Sequence, residues 1–105
     1  MEGKTTVNYL QSYIKSKDYN PDLVKDYFLK LSEEVGELAN AIRKNQTKKS
    51  NESVKGSIDE ELWDVIYYTL AIANCYNIDI ESVIKEKELI NNTKYRTGVT
   101  FEENR

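Results

Sequence analysis

An all-α fold is predicted by three features of this 105-residue sequence. It has a single proline, only four glycines, and apolar residues that recur at three- and four-residue steps along most of the chain. The first predicted helix runs from Thr6 to about Lys17, with Val7, Leu10 and Ile14 on one face. Asn20 then offers an N-cap oxygen and Pro21 a first helical residue. The second helix runs from Pro21 to about Asn45. Its apolar positions Val24, Tyr27, Phe28, Leu31, Val35, Leu38 and Ile42 fall within a stripe roughly 100° wide.

The polar stretch NQTKKSNESVKG, Asn45 to Gly56, reads as a loop. Ser57 and Glu60 stand at capping-box spacing and open a third helix that reaches about Tyr76. From Val65 to Ala73 that helix reads VIYYTLAIA, with no charge on any face. A helix apolar all round is buried all round. One small domain buries too little to achieve this. The prediction is therefore a four- to five-helix bundle that is homo-oligomeric through its third helix. Asn77 ends that helix, and Asp79 caps a fourth from Ile80 to about Asn92. The tail from Gly98 onward, 98–105, is polar and expected to be loose. The length predicts one domain, spanning 1–105.

Composition excludes several functions. The net charge is −3 and no basic stripe exists, so duplex nucleic acid is not an expected partner. No run of 18 apolar residues predicts a membrane span, and the start MEGKTTVNYL is too polar for a secretion signal. Cys75 is alone, so an internal disulfide is impossible. Cytoplasm is the expected compartment. Histidine is absent, which removes Ser-His and Cys-His catalysis and most zinc sites. There is no glycine-rich phosphate loop either.

Two acid–x–x–acid steps remain, each inside an apolar helix. Glu34 and Glu37, in LSEEVGEL, lie at the edge of the second helix's stripe, on the side shared with Lys30 and Ala41. Glu33 points toward the opposite face. Glu61 and Asp64, in DEELWDVIYY, lie at the edge of the third helix's stripe. A solvated acidic face explains Asp59 and Glu60 in the first helical turn, where acids favour the dipole. It does not explain acids placed where a helix turns toward its packing partner. Two facing steps would aim four carboxylates at one spot, tolerable only with hydration or a cation. All-oxygen ligation suits a hard ion such as Mg2+, with Mn2+ also admissible, and Mg2+ usually arrives with substrate phosphates. A metal-dependent enzyme acting on a phosphorylated substrate is the expectation.

The same residues resemble the MazG-like nucleoside triphosphate pyrophosphohydrolases of the all-α NTP-pyrophosphatase superfamily. That family's pattern is E-E-x-x-E, a gap, then E-x-x-D. Here it reads Glu33-Glu34-x-x-Glu37, 23 intervening residues, then Glu61-x-x-Asp64. The flanks KLSEEVGELANAI and ELWDVIYYTLAIA are similar too. Lys87-x-x-x-Asn91-x-x-Lys94-Tyr95 resembles a nucleotide-contacting segment, with Lys94 where arginine is usual and Arg96 after the tyrosine. The likeness covers about Asp26 to Arg96.

The resemblance implies a metal set of Glu34, Glu37, Glu61 and Asp64, and a dimer or tetramer with sites near subunit contacts. It implies hydrolysis of a (d)NTP to (d)NMP and pyrophosphate, in a role of clearing noncanonical or surplus nucleotides. With no histidine, a carboxylate must take the water's proton: Glu34 or Glu37, or Glu33 through water. Lys30, Lys87, Lys94 and Arg96 are the candidates for phosphate charge, and Asn91 and Tyr95 for nucleoside contact. Trp63, Tyr27, Phe28, Tyr67, Tyr68 and Cys75 read as packing residues. Phosphoribosyl-ATP pyrophosphohydrolase is the nearest sibling, but its second motif typically carries a Tyr-His step, and here Asp64 leads to Tyr67-Tyr68. A dUTPase- or dCTPase-like preference is an open alternative, and a non-catalytic helical interaction module is the rival of a different class.

Overall fold

The computed structural model of the chain describes residues 3–102. Four α-helices and no strand make up the described residues: α1 (Val7–Lys17), α2 (Val24–Arg43), α3 (Ile58–Cys75) and α4 (Ile80–Lys94). The all-α expectation is met. A short 3-10 turn, Pro21–Leu23, precedes α2, so the proline opens the 3-10 turn and the α-helix begins at Val24.

The helix ends follow local chemistry. Thr6, Asn20, Ser57 and Asp79 each accept a backbone N–H with the side chain at an N-terminus. Glu60 differs slightly from the expected capping box. Its Oε1 accepts from Gly56 N–H at 2.8 Å, one residue earlier than the cap, because Ser57 N–H is already donated to Val54 O. Three C-termini close the same way. Asn45, Asn77 and Arg96 adopt positive φ, and the following N–H groups reach back to Ala41 O, Ala73 O and Asn92 O. Asparagine tolerates this backbone; Arg96 does so at a cost.

α2 and α3 form the central pair. Tyr27 joins Leu70 and Ala71 in the core, and Ile58 N–H donates to Gln46 O, so rising numbers on one helix meet falling numbers on the other. The two are antiparallel. α1 lies across α3, its Ile14 fully buried in the same core. Two polar ties hold it there. Asp18 accepts from Tyr27 Oη at 3.1 Å and from Tyr67 Oη at 3.2 Å. Gln11 donates to Asn74 Oδ1 and Ile78 O and accepts from Ile80 N–H, while Asn74 Nδ2 donates to Gln11 O. The second tie also seats α4, which rests chiefly on α1 and buries no residue of its own.

The α2 stripe is wider than α3 covers. Tyr27 and Ala41 are buried, but Phe28, Val35 and Ile42 are exposed, as are Leu62, Ile66 and Tyr76 on α3. Gly98–Phe101 lies beside α4 and lines a cavity with it, while residues 103–105 of the expected loose tail fall outside the described residues. Among the described residues, no helix is long and apolar enough to cross a membrane.

Candidate active site

Antiparallel packing brings the two acidic steps together. One carboxylate oxygen from each of Glu34, Glu61 and Asp64 lies within 4.8 Å of the others. Glu61 is buried at 8% exposure, and Glu34 and Asp64 are half-buried. Glu61 Oε2 is buried with no hydrogen-bond partner. An orphaned carboxylate oxygen in such a place is costly unless something positive meets it.

Two of these carboxyls, Glu34 and Asp64, hold their protons more tightly than usual. Burial raises Glu34 above the ordinary glutamate range. The hydrogen bond that Glu34 donates to Glu61 and the charges of Glu61 and Glu37 add to this, while its hydrogen bond with Asp64 opposes it. Asp64 is pushed up to about 6, by burial first and then by the Glu34 charge, the Glu34 hydrogen bond and the Glu60 charge. Carboxyls whose charged forms are disfavoured when alone are suited to a cation. A small hard ion at about 2.1 Å from each oxygen puts its ligand oxygens roughly 3–4 Å apart. The observed spacing and the all-carboxylate donor set fit such an ion.

The other sequence candidates occupy varied places. Glu37 stands one turn along α2 from Glu34, exposed and outside the trio, and acts on Glu34 through its charge. Glu33 is exposed on another face and pairs with Lys30 at 3.5 Å. Lys87, Asn91, Lys94, Tyr95 and Arg96 lie on α4 and the turn after it. Among the described residues, no ion pair links Lys87, Lys94 or Arg96 to the trio. Lys94 Nζ sits over the Tyr95 ring at 5.2 Å, and Asn91 Nδ2 donates to Glu88 at 3.3 Å. The fold therefore brings Glu34, Glu61 and Asp64 together between α2 and α3, keeps Lys30 on α2, and puts the other basic candidates on α4 and the turn after it.

Tyr68 is the residue that sequence reasoning left as packing alone. It is half-buried one turn beyond Asp64. Burial raises its hydroxyl, Lys30 pulls it down, and the charges of Asp18, Glu34 and Asp64 push it up. Its hydroxyl thus lies within electrostatic reach of Lys30, Asp18 and two members of the trio. Its four-residue step from Asp64 was the available signal. Trp63 packs edge-on against Tyr67 at 5.9 Å, and Cys75 is half-buried with its thiol pushed up by burial.

The description of the MazG nucleotide pyrophosphohydrolase domain matches residues 24–96, which include both acidic helices and the basic end of α4. The chain belongs to the MazG family. Solved structures agree. Two crystal structures of iMazG from Vibrio DAT 722 share 43% identity and a TM-score of 0.79 with this chain. The Ctag form covers 84% of this chain and 99% of its own, and the Ntag form covers 87% and 98%. No curated protein matches the sequence. As a MazG chain, the protein is a nucleotide pyrophosphohydrolase, a hydrolase of the phosphoric anhydride bonds of nucleoside triphosphates. The α2–α3 trio lies within the matched residues.

Proposed function

We propose that the chain is a Mg2+-dependent pyrophosphohydrolase that converts (d)NTP and water to (d)NMP and pyrophosphate as a homo-oligomer. The observation that carries the metal assignment is the trio itself, with Glu61 Oε2 buried and unpartnered. Glu34, Glu61 and Asp64 would hold the ion, with Glu37 beside them; Mn2+ suits the same donors. When bound, the ion neutralises charge shared by these carboxylates and the triphosphate.

The protein's own groups do the rest. The water oxygen forms a bond to the α-phosphorus as the bond from that phosphorus to the α–β bridging oxygen breaks. The electron pair leaves with pyrophosphate, and the water's proton passes to a carboxylate. Glu37 is the acceptor this arrangement favours, because it is exposed, stands beside the trio and lies outside it. Glu34 is then occupied in ligation and Glu33 in its pair with Lys30. Lys30, Lys87, Lys94 and Arg96 are the groups assigned to phosphate charge, and Asn91 and Tyr95 to the nucleoside.

Surface arithmetic supports a second copy. The chain exposes 8349 Å², whereas a compact 12.2 kDa monomer exposes about 6,000 Å². Its radius of gyration is 16.3 Å against about 13 Å for a compact chain of this length. The excess is apolar where α2 meets α3. Val24, Phe28, Leu29, Ile72 and Tyr76 line an open cavity of about 480 Å³ there. A single domain working in the cytoplasm on surplus nucleotides completes the reading. The test is a panel of dNTPs and NTPs with and without Mg2+, with products identified. Monophosphate plus pyrophosphate, formed only with the cation, supports it. Diphosphate plus phosphate overturns it.

A further inference from the structure

Beyond the trio, the loop joining α2 to α3 borders an open polar cavity of about 410 Å³. Four lysines line it, Lys44, Lys48, Lys49 and Lys55, against one acid, Glu52. Among the described residues none of the four has an ion-pair partner; the ion pair present is Lys30–Glu33. The loop is held in shape. Lys48 N–H donates to Asp59 Oδ1, Gly56 N–H to Glu60 Oε1, and Ile58 N–H to Gln46 O. Asp59 and Glu60 are thereby engaged with backbone, and the four exposed lysines border one open volume with a single acid among them. Such an excess of positive charge attracts an anion.

The position of the cavity gives the anion an identity. Ser57 lines it, and Glu61 of the trio lies four residues on, on the same face of α3. Four residues of helix rise about 6 Å. Lys30 and Tyr68 stand at the other end of the trio, one turn before Glu34 on α2 and one turn after Asp64 on α3. The α2–α3 groove therefore carries a cationic loop at one end, carboxylates in the middle, and Lys30 with Tyr68 at the other. We propose that the lysine-lined cavity receives the β- and γ-phosphates of the substrate and holds the departing pyrophosphate. The proposal rests on the pyrophosphohydrolase reading of the trio. It assigns leaving-group charge to Lys44, Lys48, Lys49 and Lys55, whose ammonium groups bear the negative charge that develops as the α-phosphorus bond breaks.

The test uses Lys48→Gln/Lys49→Gln/Lys55→Gln, which leaves the Lys44 cap and every loop backbone bond in place. Inorganic pyrophosphate is titrated by calorimetry into each protein in EDTA, so the trio contributes no cation. Wild type binds with an affinity that falls as salt rises, and the variant binds about tenfold or more weakly. In turnover with Mg2+, the variant's KM rises about tenfold for a nucleoside triphosphate. It rises much less for the diphosphate, which lacks the γ-phosphate. Pyrophosphate inhibition weakens in step. Equal pyrophosphate affinity in both proteins overturns the proposal, as does an equal KM change for triphosphate and diphosphate. A wild type without Mg2+-dependent turnover sinks the enzyme reading instead, and the metal-free titration still decides the cavity by itself.

Discussion

Asp64→Asn should make the metal-free protein more stable and the enzyme inactive. Asp64 is pushed up to about 6 by burial and by Glu34, against about 3.9 in an unfolded chain. The folded state binds its proton more tightly, so the stability this group contributes is complete below about pH 4. It is lost as pH rises through about 6. The raised Asp64 corresponds to almost 3 kcal/mol, and about 2 kcal/mol after allowance for its partial exposure to water. Asparagine keeps the volume and can still donate to Glu34, but it never ionises. At pH 7.5 in EDTA the variant should therefore melt on the order of 10 °C higher than wild type. At pH 4 the two should melt together. Saturating Mg2+ at a hundred times its Kd adds about 2.7 kcal/mol to wild type and far less to the variant. Turnover should fall by more than about 100-fold, beyond what loss of a mere supporting contact costs. The measurement is thermal unfolding across pH with and without Mg2+, at fixed protein concentration, beside a pyrophosphate assay. A variant no more stable than wild type at pH 7.5, or one that keeps its Mg2+ response, would refute the electrostatic argument.

Other outcomes follow from the packing. Asp18→Ala orphans the Tyr27 and Tyr67 hydroxyls and should cost about 1–3 kcal/mol by urea unfolding; Tyr67, pushed up to about 12 chiefly by burial, should then titrate lower in a spectroscopic pH series. Gln11→Leu removes three side-chain hydrogen bonds at the α1–α3–α4 junction and should destabilise by about 2–3 kcal/mol, with faster amide exchange in α4. Ile66→Glu, on the exposed face of α3, should leave helicity unchanged but shift the sedimentation of the chain toward the monomer mass. Arg96→Gly relieves a left-handed backbone and should stabilise by about 0.5–1 kcal/mol; a simultaneous fall in turnover marks the guanidinium as a phosphate contact.

Local chemistry explains what the sequence could and could not disclose. Caps at Asn20, Ser57 and Asp79 depend on one side chain and the next few N–H groups and were readable in advance, whereas Thr6, read as the first helical residue, is the cap of a helix that begins at Val7. The closeness of Glu34 to Glu61 and Asp64 was readable as well, since each step lies at a stripe edge and the helices must pack along those stripes. The place of Glu37 was not. Angular counting puts it beside Glu34, but whether it turns inward depends on how far α3 rolls against α2, which no local signal fixes. The apolar stripe of α2 misled in a similar way. Its seven positions suggest one burial surface, yet α3 covers only the Tyr27–Ala41 side and leaves Phe28, Val35 and Ile42 exposed.

That exposed side and the proton-holding trio express the same physical fact. Each is costly in a lone, metal-free chain, and each is relieved by something the chain does not itself contain. A second copy would remove apolar surface from water at about 25 cal/mol per Å². A cation would favour the charged forms of Glu34 and Asp64 and meet Glu61 Oε2. The two reliefs are coupled through α2, because Val35 and Glu34 are neighbours on one helix, one on the open apolar side and one in the trio. Cation binding that steadies α2 against α3 should therefore also tighten self-association. Sedimentation in EDTA and in Mg2+ measures that coupling, and identical association in both would show that the two faces of α2 act independently.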